Sequence, residues 1–193
     1  MKTKVIMFIF LLSTTLPLSA LTFYKQSRVT VPEWYGVTCI DNYLCLEDIA
    51  KKDQAKELYE YALLLTEQRF SRLKTRPKAV FCSSKECSER FGLKKSNAFN
   101  LGTFGIIISS RGWKKHLVTH EFIHYWQSQT IGNWKMFASQ DWMIEGMAYS
   151  MSEDTREKLV EPFESYKIKF NKWRQSHSSE NIELAFINES ASW

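Results

Sequence analysis

The sequence lacks the features that divide a chain into several units. Its 193 residues hold no internal repeat, linker or low-complexity tract, and they include only 4 prolines and 7 glycines. When the first 24 residues are set aside, about 170 residues remain, a length that suits one domain around one sizeable core. We therefore expect a single domain over residues 25–193.

The chain also has little excess charge of either sign. The formal net charge is +5, and Lys2 and Lys4 contribute two of these charges. The remaining excess of about +3 is too small to argue for binding to nucleic acid. A basic run is best explained as the solvated end of a helix and comprises Arg69, Arg72, Lys74, Arg76 and Lys78. The sequence predicts no nucleic-acid partner, and it indicates no oligomeric state.

Cysteine is scarce, and its spacing argues against a cysteine metal site. Four cysteines form two close pairs, Cys39 with Cys45 and Cys82 with Cys87, and neither pair has the C-x-x-C spacing of many zinc sites. Close pairs are typical of local disulfides in exported proteins, so we predict these two bonds. Four cysteines allow three connectivities, and the other two stay open on the sequence alone.

The amino terminus has the pattern of a targeting segment. Lys2 and Lys4 precede an apolar run over residues 5–12, and Ala20 offers a small residue at a position suited to cleavage. No charge occurs over about twenty residues from Val5 on, the length that a membrane helix needs. A cleaved signal peptide and a retained single-pass membrane anchor therefore both stay open for residues 1–24. Because the lysines come first, either interpretation predicts export to the periplasm or the extracellular space.

The rest of the chain predicts a helix-rich α+β domain with a small mixed β-sheet. Helical spacing of apolar residues predicts helices over residues 47–73, 84–91, 113–129 and 159–174, and a further helix around Glu145. Apolar and β-branched runs predict strands within residues 27–45, 78–82 and 98–109. Because strands and helices segregate along the chain, a doubly wound parallel sheet is not expected.

Residues 120–124 read H-E-F-I-H, which is the H-E-x-x-H pattern of a zinc site. On a helix with His120 at zero, Glu121 lies at about 100° and His124 at about 40° around the axis, so all three face one cleft. Two neutral imidazoles can hold zinc while the carboxylate between them removes a proton from a zinc-bound water. The alternative is an amphipathic core helix with two histidines on its polar face.

A second motif, W-x-x-E-G-x-A over residues 142–148, offers a third ligand. Glu145 follows His124 after twenty intervening residues, enough for the first helix to end, the chain to turn back and a second helix to approach the metal. Gly146 removes a side chain where two helices or a metal must come close. The alternative for Glu145 is a solvated glutamate on an amphipathic helix.

Tyr149 lies one helical turn after Glu145 and shares its face. Hydrolysis of a peptide bond develops negative charge on an oxygen, and a donor about 3 Å away assists the metal. Tyr149 is our candidate for this catalytic role. Two other roles stay open: a hydrogen bond to a ligand imidazole, or packing as a core aromatic.

Together, the two motifs resemble the gluzincins, which are zinc metallopeptidases of the thermolysin-like and aminopeptidase-like branch of the zincins. The resemblance covers about residues 100–155. It implies a zincin-like domain with Glu121 as general base and with three zinc ligands: His120, His124 and Glu145. It also implies that an edge strand beside the active-site helix binds the substrate backbone, and residues 103–109 are the candidate strand.

The chain departs from the better-known families at two points. No G-A-M-E-N-like segment is present to bind a substrate amino terminus, and the third histidine of the metzincins is absent. The choice between endopeptidase and exopeptidase therefore stays open. We expect a zinc-dependent peptidase that hydrolyses peptide or protein substrates. The alternative function is a non-catalytic module of the cell envelope that keeps the metal as a structural staple and works in binding or regulation.

Overall fold

The computed structural model of the protein describes residues 25–191. The predicted targeting segment, residues 1–24, lies outside the described residues. Among the residues that are described, no helix combines the length and the apolar character needed to cross a membrane. Both predicted disulfides are confirmed, with Cys39 bonded to Cys45 and Cys82 bonded to Cys87.

Within residues 25–191, five short strands form one mixed β-sheet: β1 (Thr38–Cys39), β2 (Leu44–Leu46), β3 (Ala79–Phe81), β4 (Ala98–Asn100) and β5 (Ile106–Ile108). The order across the sheet is β1-β2-β3-β5-β4. Neighbouring strands run parallel among β2, β3 and β5, whereas β1 and β4 pair antiparallel at the two edges. The mixed sheet agrees with the prediction.

Helices account for most of the other described residues: α1 (Lys25–Thr30), α2 (Lys52–Arg69), α3 (Lys85–Arg90), α4 (Lys115–Ile131), α5 (Asn133–Ala138), α6 (Asp141–Met151), α7 (Phe163–Ser176) and α8 (Ile182–Ser190). The fold is helix-rich α+β, which confirms the predicted class. The predicted helices at residues 47–73, 84–91 and 113–129 are present as α2, α3 and α4.

The sheet is buried on both faces, which explains why its central strands are continuous apolar runs. Along β3, Phe81 belongs to the cluster that includes Phe122 of α4, and Val80 points to the opposite cluster with Phe91. Each such side chain contributes about 1.5–3 kcal/mol when fully buried. The sheet is therefore a rigid layer on which α4 rests.

The prediction of which strand binds a substrate backbone is wrong. Residues 106–108 form β5, which pairs with β3 on one side and β4 on the other, so β5 has no open edge. The edge strand that packs against α4 is β4. Residues 98–109, where the sequence predicts strand structure, form a hairpin of β4 and β5, and the order of strands across the sheet decides which of the two is outermost.

Near the ends of the chain, one predicted strand is wrong and one predicted helix is present with a later start. Residues around Val29 form α1 rather than a strand, because Val29 is needed as a buried side chain against the sheet, and tertiary packing overrides its β preference. The predicted last helix over residues 159–174 begins instead at Phe163, directly after Pro162. The additional helix α8 follows it and packs on α4.

Candidate metal centre

The helix α4 provides the first part of the site and is buried almost throughout. Every residue from Val118 to Ser128 is buried, because α2, α6, α8 and the sheet surround the helix. His120 and His124 are respectively 7% and 6% exposed, and Glu121 is 8% exposed. A buried imidazole or carboxylate needs a polar partner, so these three side chains mark a candidate functional position within the core.

The helix α6 crosses α4 and brings Glu145 to the two histidines. The Nε2 atoms of His120 and His124 are 2.9 Å apart. The Glu145 carboxylate oxygens lie 3.4 Å from His120 Nε2 and 3.5 Å from His124 Nε2. One ligand atom from each of the three residues lies within 4.8 Å of the others. The structure therefore brings the three predicted metal ligands together.

The spacing of these atoms fits a zinc ion. Zinc bonds of about 2.0–2.1 Å in a tetrahedral site place neighbouring ligand atoms roughly 3.3 Å apart. The two distances to Glu145 match this value closely, and the distance between the imidazole nitrogens is a few tenths of an ångström shorter. Two imidazoles and one carboxylate are also the donor set of catalytic zinc sites that keep a fourth position open.

Gln127 fixes the orientation of His124. The Gln127 side-chain amide, which is fully buried, donates through Nε2 to the backbone oxygen of Ile144 at 3.1 Å. This bond turns Oε1 of Gln127 toward His124 Nδ1, 2.8 Å away. The oxygen can only accept, so His124 carries a proton on Nδ1, and Nε2 is the nitrogen that faces the candidate metal position and would give up its own proton to a metal. Gln127 also links α4 to the residue that precedes Glu145.

The charges of the three candidate ligands depend on one another. Burial holds the pKa of His120 below its usual value. Burial would lower the pKa of His124 too, but the charge of Glu145 outweighs it and raises that pKa to about 9. Burial would raise the pKa of Glu145, yet the two histidines hold it well below its usual range. Glu145 therefore stays ionised, and its charge attracts a cation to the space between the imidazoles.

Glu121 has the environment of a proton-transfer group. Burial raises the pKa of Glu121 to about 7, and the charge of Glu145 acts in the same direction. The charge of His124 and the backbone N–H of Asn100 act in the opposite direction. A carboxyl group whose pKa lies near neutral pH can both accept and return a proton.

Tyr149 packs against the site instead of bonding to a ligand. Its ring centroid is 4.4 Å from that of His120, and the hydroxyl shows no hydrogen bond to an imidazole among the described contacts. Burial, with the charge of Glu145, raises the pKa of Tyr149 to about 12, so its hydroxyl keeps the proton that a donor needs. Tyr149 lines the cleft beside His120, a position from which its hydroxyl can donate to a bound substrate.

One cleft of about 960 Å³ connects the site to the surface. Its floor includes His120, Glu121 and Glu145, and the edge strand β4 forms one wall. Its rim carries large exposed aromatic side chains, among them Trp134 and Phe137 of α5. The volume falls at the upper end of ordinary ligand sites, which suits a substrate larger than a single amino acid.

No protein-family model, curated protein or solved structure matches this chain. The functional interpretation therefore rests on the residues of the site.

Two residues at or near the site have roles that the sequence motifs do not indicate. Gln127 lies three residues after His124, a spacing that places it on the same face of α4 and could have suggested a contact. Arg156 lies in the loop between α6 and α7 and lines the cleft. No periodicity or motif marks Arg156, because its position depends on how that loop folds back.

Proposed function

We propose that the protein is a zinc-dependent peptidase of the gluzincin type. The observation that supports this most directly is the convergence of His120, His124 and Glu145 within 4.8 Å, with Glu121 buried beside them in the floor of an open cleft. Each of the four residues has the chemistry that its motif position requires. A buried cluster of this kind without a function would cost stability with no compensating gain.

The protein residues divide the hydrolytic work. A zinc ion held by the two histidines and Glu145 would polarise the scissile carbonyl and increase the acidity of a water molecule. Glu121 accepts the proton of the attacking water and returns it to the leaving amine. Gln127 keeps His124 in the tautomer that leaves Nε2 available. Tyr149 donates a hydrogen bond to the oxygen on which negative charge develops.

The edge strand β4 is suited to hold an extended substrate beside these groups. The backbones of Asn97 and Leu101 bond to the β5 side of the hairpin, so by strand alternation those of Ala98 and Asn100 point to the outer edge, where the Asn100 N–H also meets the Glu121 carboxylate. Both residues line the cleft. A peptide that pairs with this edge would run past Glu121 in a defined direction.

Replacement of Glu121 by glutamine tests the proposal. Full-length protein supplied with zinc should cleave members of a peptide library, as detected by mass spectrometry. Glu121→Gln should keep its zinc and lose about 100-fold to 10,000-fold in rate, because the amide cannot accept the proton. The control is Glu86→Gln, an exposed change on α3, which should leave the rate unchanged.

Two results would count against the proposal. An undiminished rate in Glu121→Gln on a verified substrate would show that Glu121 is not the base. A wild-type protein that binds zinc but cleaves no member of the library would favour the non-catalytic module of the cell envelope.

A further inference from the structure

The loop between α6 and α7 places a charged side chain in the wall of the cleft. Arg156 lies in this loop and lines the cleft together with Glu145 and Tyr149. Its guanidinium carbon is 5.7 Å from the centroid of the Tyr149 ring, which itself contacts His120. Arg156 is therefore close enough to the candidate metal centre to touch a substrate bound there.

A buried carboxylate holds one edge of the Arg156 guanidinium. Arg156 Nε donates to both oxygens of Asp154, at 2.9 Å and 3.0 Å, and Nη2 donates to the same carboxylate. The Asp154 side chain is 1% exposed, whereas that of Arg156 is 45% exposed. The pair thus fixes the plane of the guanidinium by its Nε side and leaves its far end toward the open space.

The far end of a guanidinium presents two parallel N–H groups, one on each terminal nitrogen. That arrangement matches the two oxygens of a carboxylate and binds it more selectively than a single ammonium group does. The guanidinium also contacts Tyr149, but among the described contacts no protein carboxylate pairs with its far end. It is therefore available to an anionic group in the cleft.

The loop itself is tied to the body of the protein on both sides of Arg156. The Glu153 carboxylate accepts hydrogen bonds from Arg69, at 2.8 Å, and from the Tyr61 hydroxyl, both on α2. The backbone N–H of Leu159 donates to Glu164 at 2.8 Å. These bonds hold Arg156 in position before any ligand arrives, which lowers the entropic cost of binding.

We propose that Arg156, braced by Asp154, is a binding subsite for a substrate carboxylate. The site would select peptides with a negatively charged carboxylate close to the scissile bond, either the free carboxyl terminus or the side chain of an aspartate or glutamate. This inference rests on the proposed peptidase function. It deepens that function because it names the class of peptide that the cleft accepts.

A binding measurement tests the subsite without relying on turnover. Full-length zinc-loaded protein carrying Glu121→Gln is offered a library of N-acetylated hexapeptides, prepared with either a free carboxyl terminus or a carboxamide. A second arm compares glutamate with glutamine at each position. Affinity capture and mass spectrometry should show that carboxylate forms bind roughly 10-fold to 100-fold more tightly than their neutral partners.

Substitutions in the same background assign this preference to Arg156. Arg156→Met should remove the carboxylate preference and leave binding of the neutral peptides almost unchanged, whereas Arg156→Lys should restore part of it. Arg76→Met is the matched control, because Arg76 is similarly exposed and pairs with Glu60 outside the residues that line the cleft. It should keep the full preference. The two arms distinguish a terminal from a side-chain carboxylate.

The outcomes separate this inference from the peptidase proposal. An equal affinity for charged and neutral peptides, or a preference that survives Arg156→Met, would overturn the subsite, even if the wild-type protein cleaves peptides. A preference that requires Arg156 would support the subsite, even if the wild-type protein cleaves nothing. Failure to capture any peptide would overturn the subsite as well.

Discussion

Gln127 shows how a single neutral side chain orients a candidate metal ligand. Its carboxamide is fixed by the backbone oxygen of Ile144, and this in turn decides which nitrogen of His124 carries the proton. The same amide contacts the sulfur of Met147 at 3.3 Å, so it has little freedom to rotate. The tautomer of His124 is thus set by a contact between two helices.

We predict that Gln127→Leu weakens zinc binding by roughly 10-fold to 100-fold, because His124 loses its acceptor and the choice of tautomer. Gln127→Glu keeps an acceptor for Nδ1 and should weaken binding less. Competition with a chromophoric chelator measures both affinities. Gln129→Leu is the control, because Gln129 lies on the same helix but bonds to Lys74 and Thr75 and not to a candidate ligand, and it should bind zinc like wild type. A folded Gln127→Leu protein with unchanged affinity would contradict the role given to Gln127.

At this scale the sequence predicts the residues with strong local signatures and no others. The positions of His120, Glu121 and His124 follow from helical spacing alone, and the structure brings the two histidines together with Glu145 in a group that could hold a metal. Gln127 depends on Ile144, which lies 17 residues further along the chain, and Arg156 depends on how its loop folds back. Such contacts are set by tertiary packing, which no local pattern encodes.

Among the elements, the close packing of α6 on α7 determines where Glu145 lies. A Cβ at Gly146 would come within 2.4 Å of the backbone oxygen of Tyr166 and 2.8 Å of the Cβ of Phe170. Backbone atoms cannot move aside as a flexible side chain can. Glycine is therefore needed at this position because α6 and α7 pack closely there, directly beside the candidate ligand Glu145.

We expect Gly146→Ala to lower the free energy of unfolding by about 1–3 kcal/mol, because α7 must move away from α6. Helix propensity by itself would favour alanine by about 0.5–1 kcal/mol, so the sign of the change identifies the cause. Urea denaturation followed by circular dichroism measures it. A variant as stable as wild type, or more stable, would mean that the two helices can accommodate the added methyl group without moving apart.

A second contact between elements joins the end of β2 to the start of α3. The Glu47 carboxylate accepts hydrogen bonds from the backbone N–H groups of Ser83 and Ser84 and from the Ser84 hydroxyl, at 2.6–2.8 Å. Burial would raise the pKa of Glu47, but these bonds and the nearby Arg90 outweigh it and lower the pKa below its usual value of 4.5. The ionised form is therefore the one that stabilises the fold.

This contact predicts a defined pH dependence of stability. A lowered pKa in the folded state contributes stability above about pH 4.5, and the contribution is lost as the pH falls through the folded-state value. Glu47→Gln should lower the free energy of unfolding by about 1–3 kcal/mol at pH 7. The difference from wild type should shrink below pH 4.5.

Urea denaturation at several pH values between 3 and 7 checks the Glu47 prediction. Glu57→Gln is a suitable control, because Glu57 is exposed and pairs with Lys115 at the surface, where such pairs contribute little. A difference between Glu47→Gln and wild type that stays constant over the whole pH range would contradict the role given to the carboxylate.

The order of the elements was harder to predict than their existence. The apolar and β-branched residues of 98–109 predict strand structure, but only the assembled sheet shows that β4 and not β5 is the edge. The helix α1 was missed for a related reason, since Val29 takes its conformation from the core that it joins. The local conformational preference of the residues determines the type of an element only where tertiary packing does not override it.

Across the whole molecule, the disulfides and the candidate site occupy different parts of the fold. Cys39 bonds to Cys45 between β1 and β2, and Cys82 bonds to Cys87 between the end of β3 and α3. The candidate ligands lie on α4 and α6 at the far edge of the sheet. The sheet and its disulfides form the support, and the helices form the site.

The metal content of the full-length protein tests the central claim most directly. Mass spectrometry of metals compares wild type with His120→Ala and Glu145→Ala, each checked for folding by circular dichroism. The account predicts about one zinc per wild-type chain and a loss or clear weakening of binding in both variants. A folded wild-type protein that contains no zinc and takes up none when it is added would contradict the metal centre, and with it the proposed peptidase.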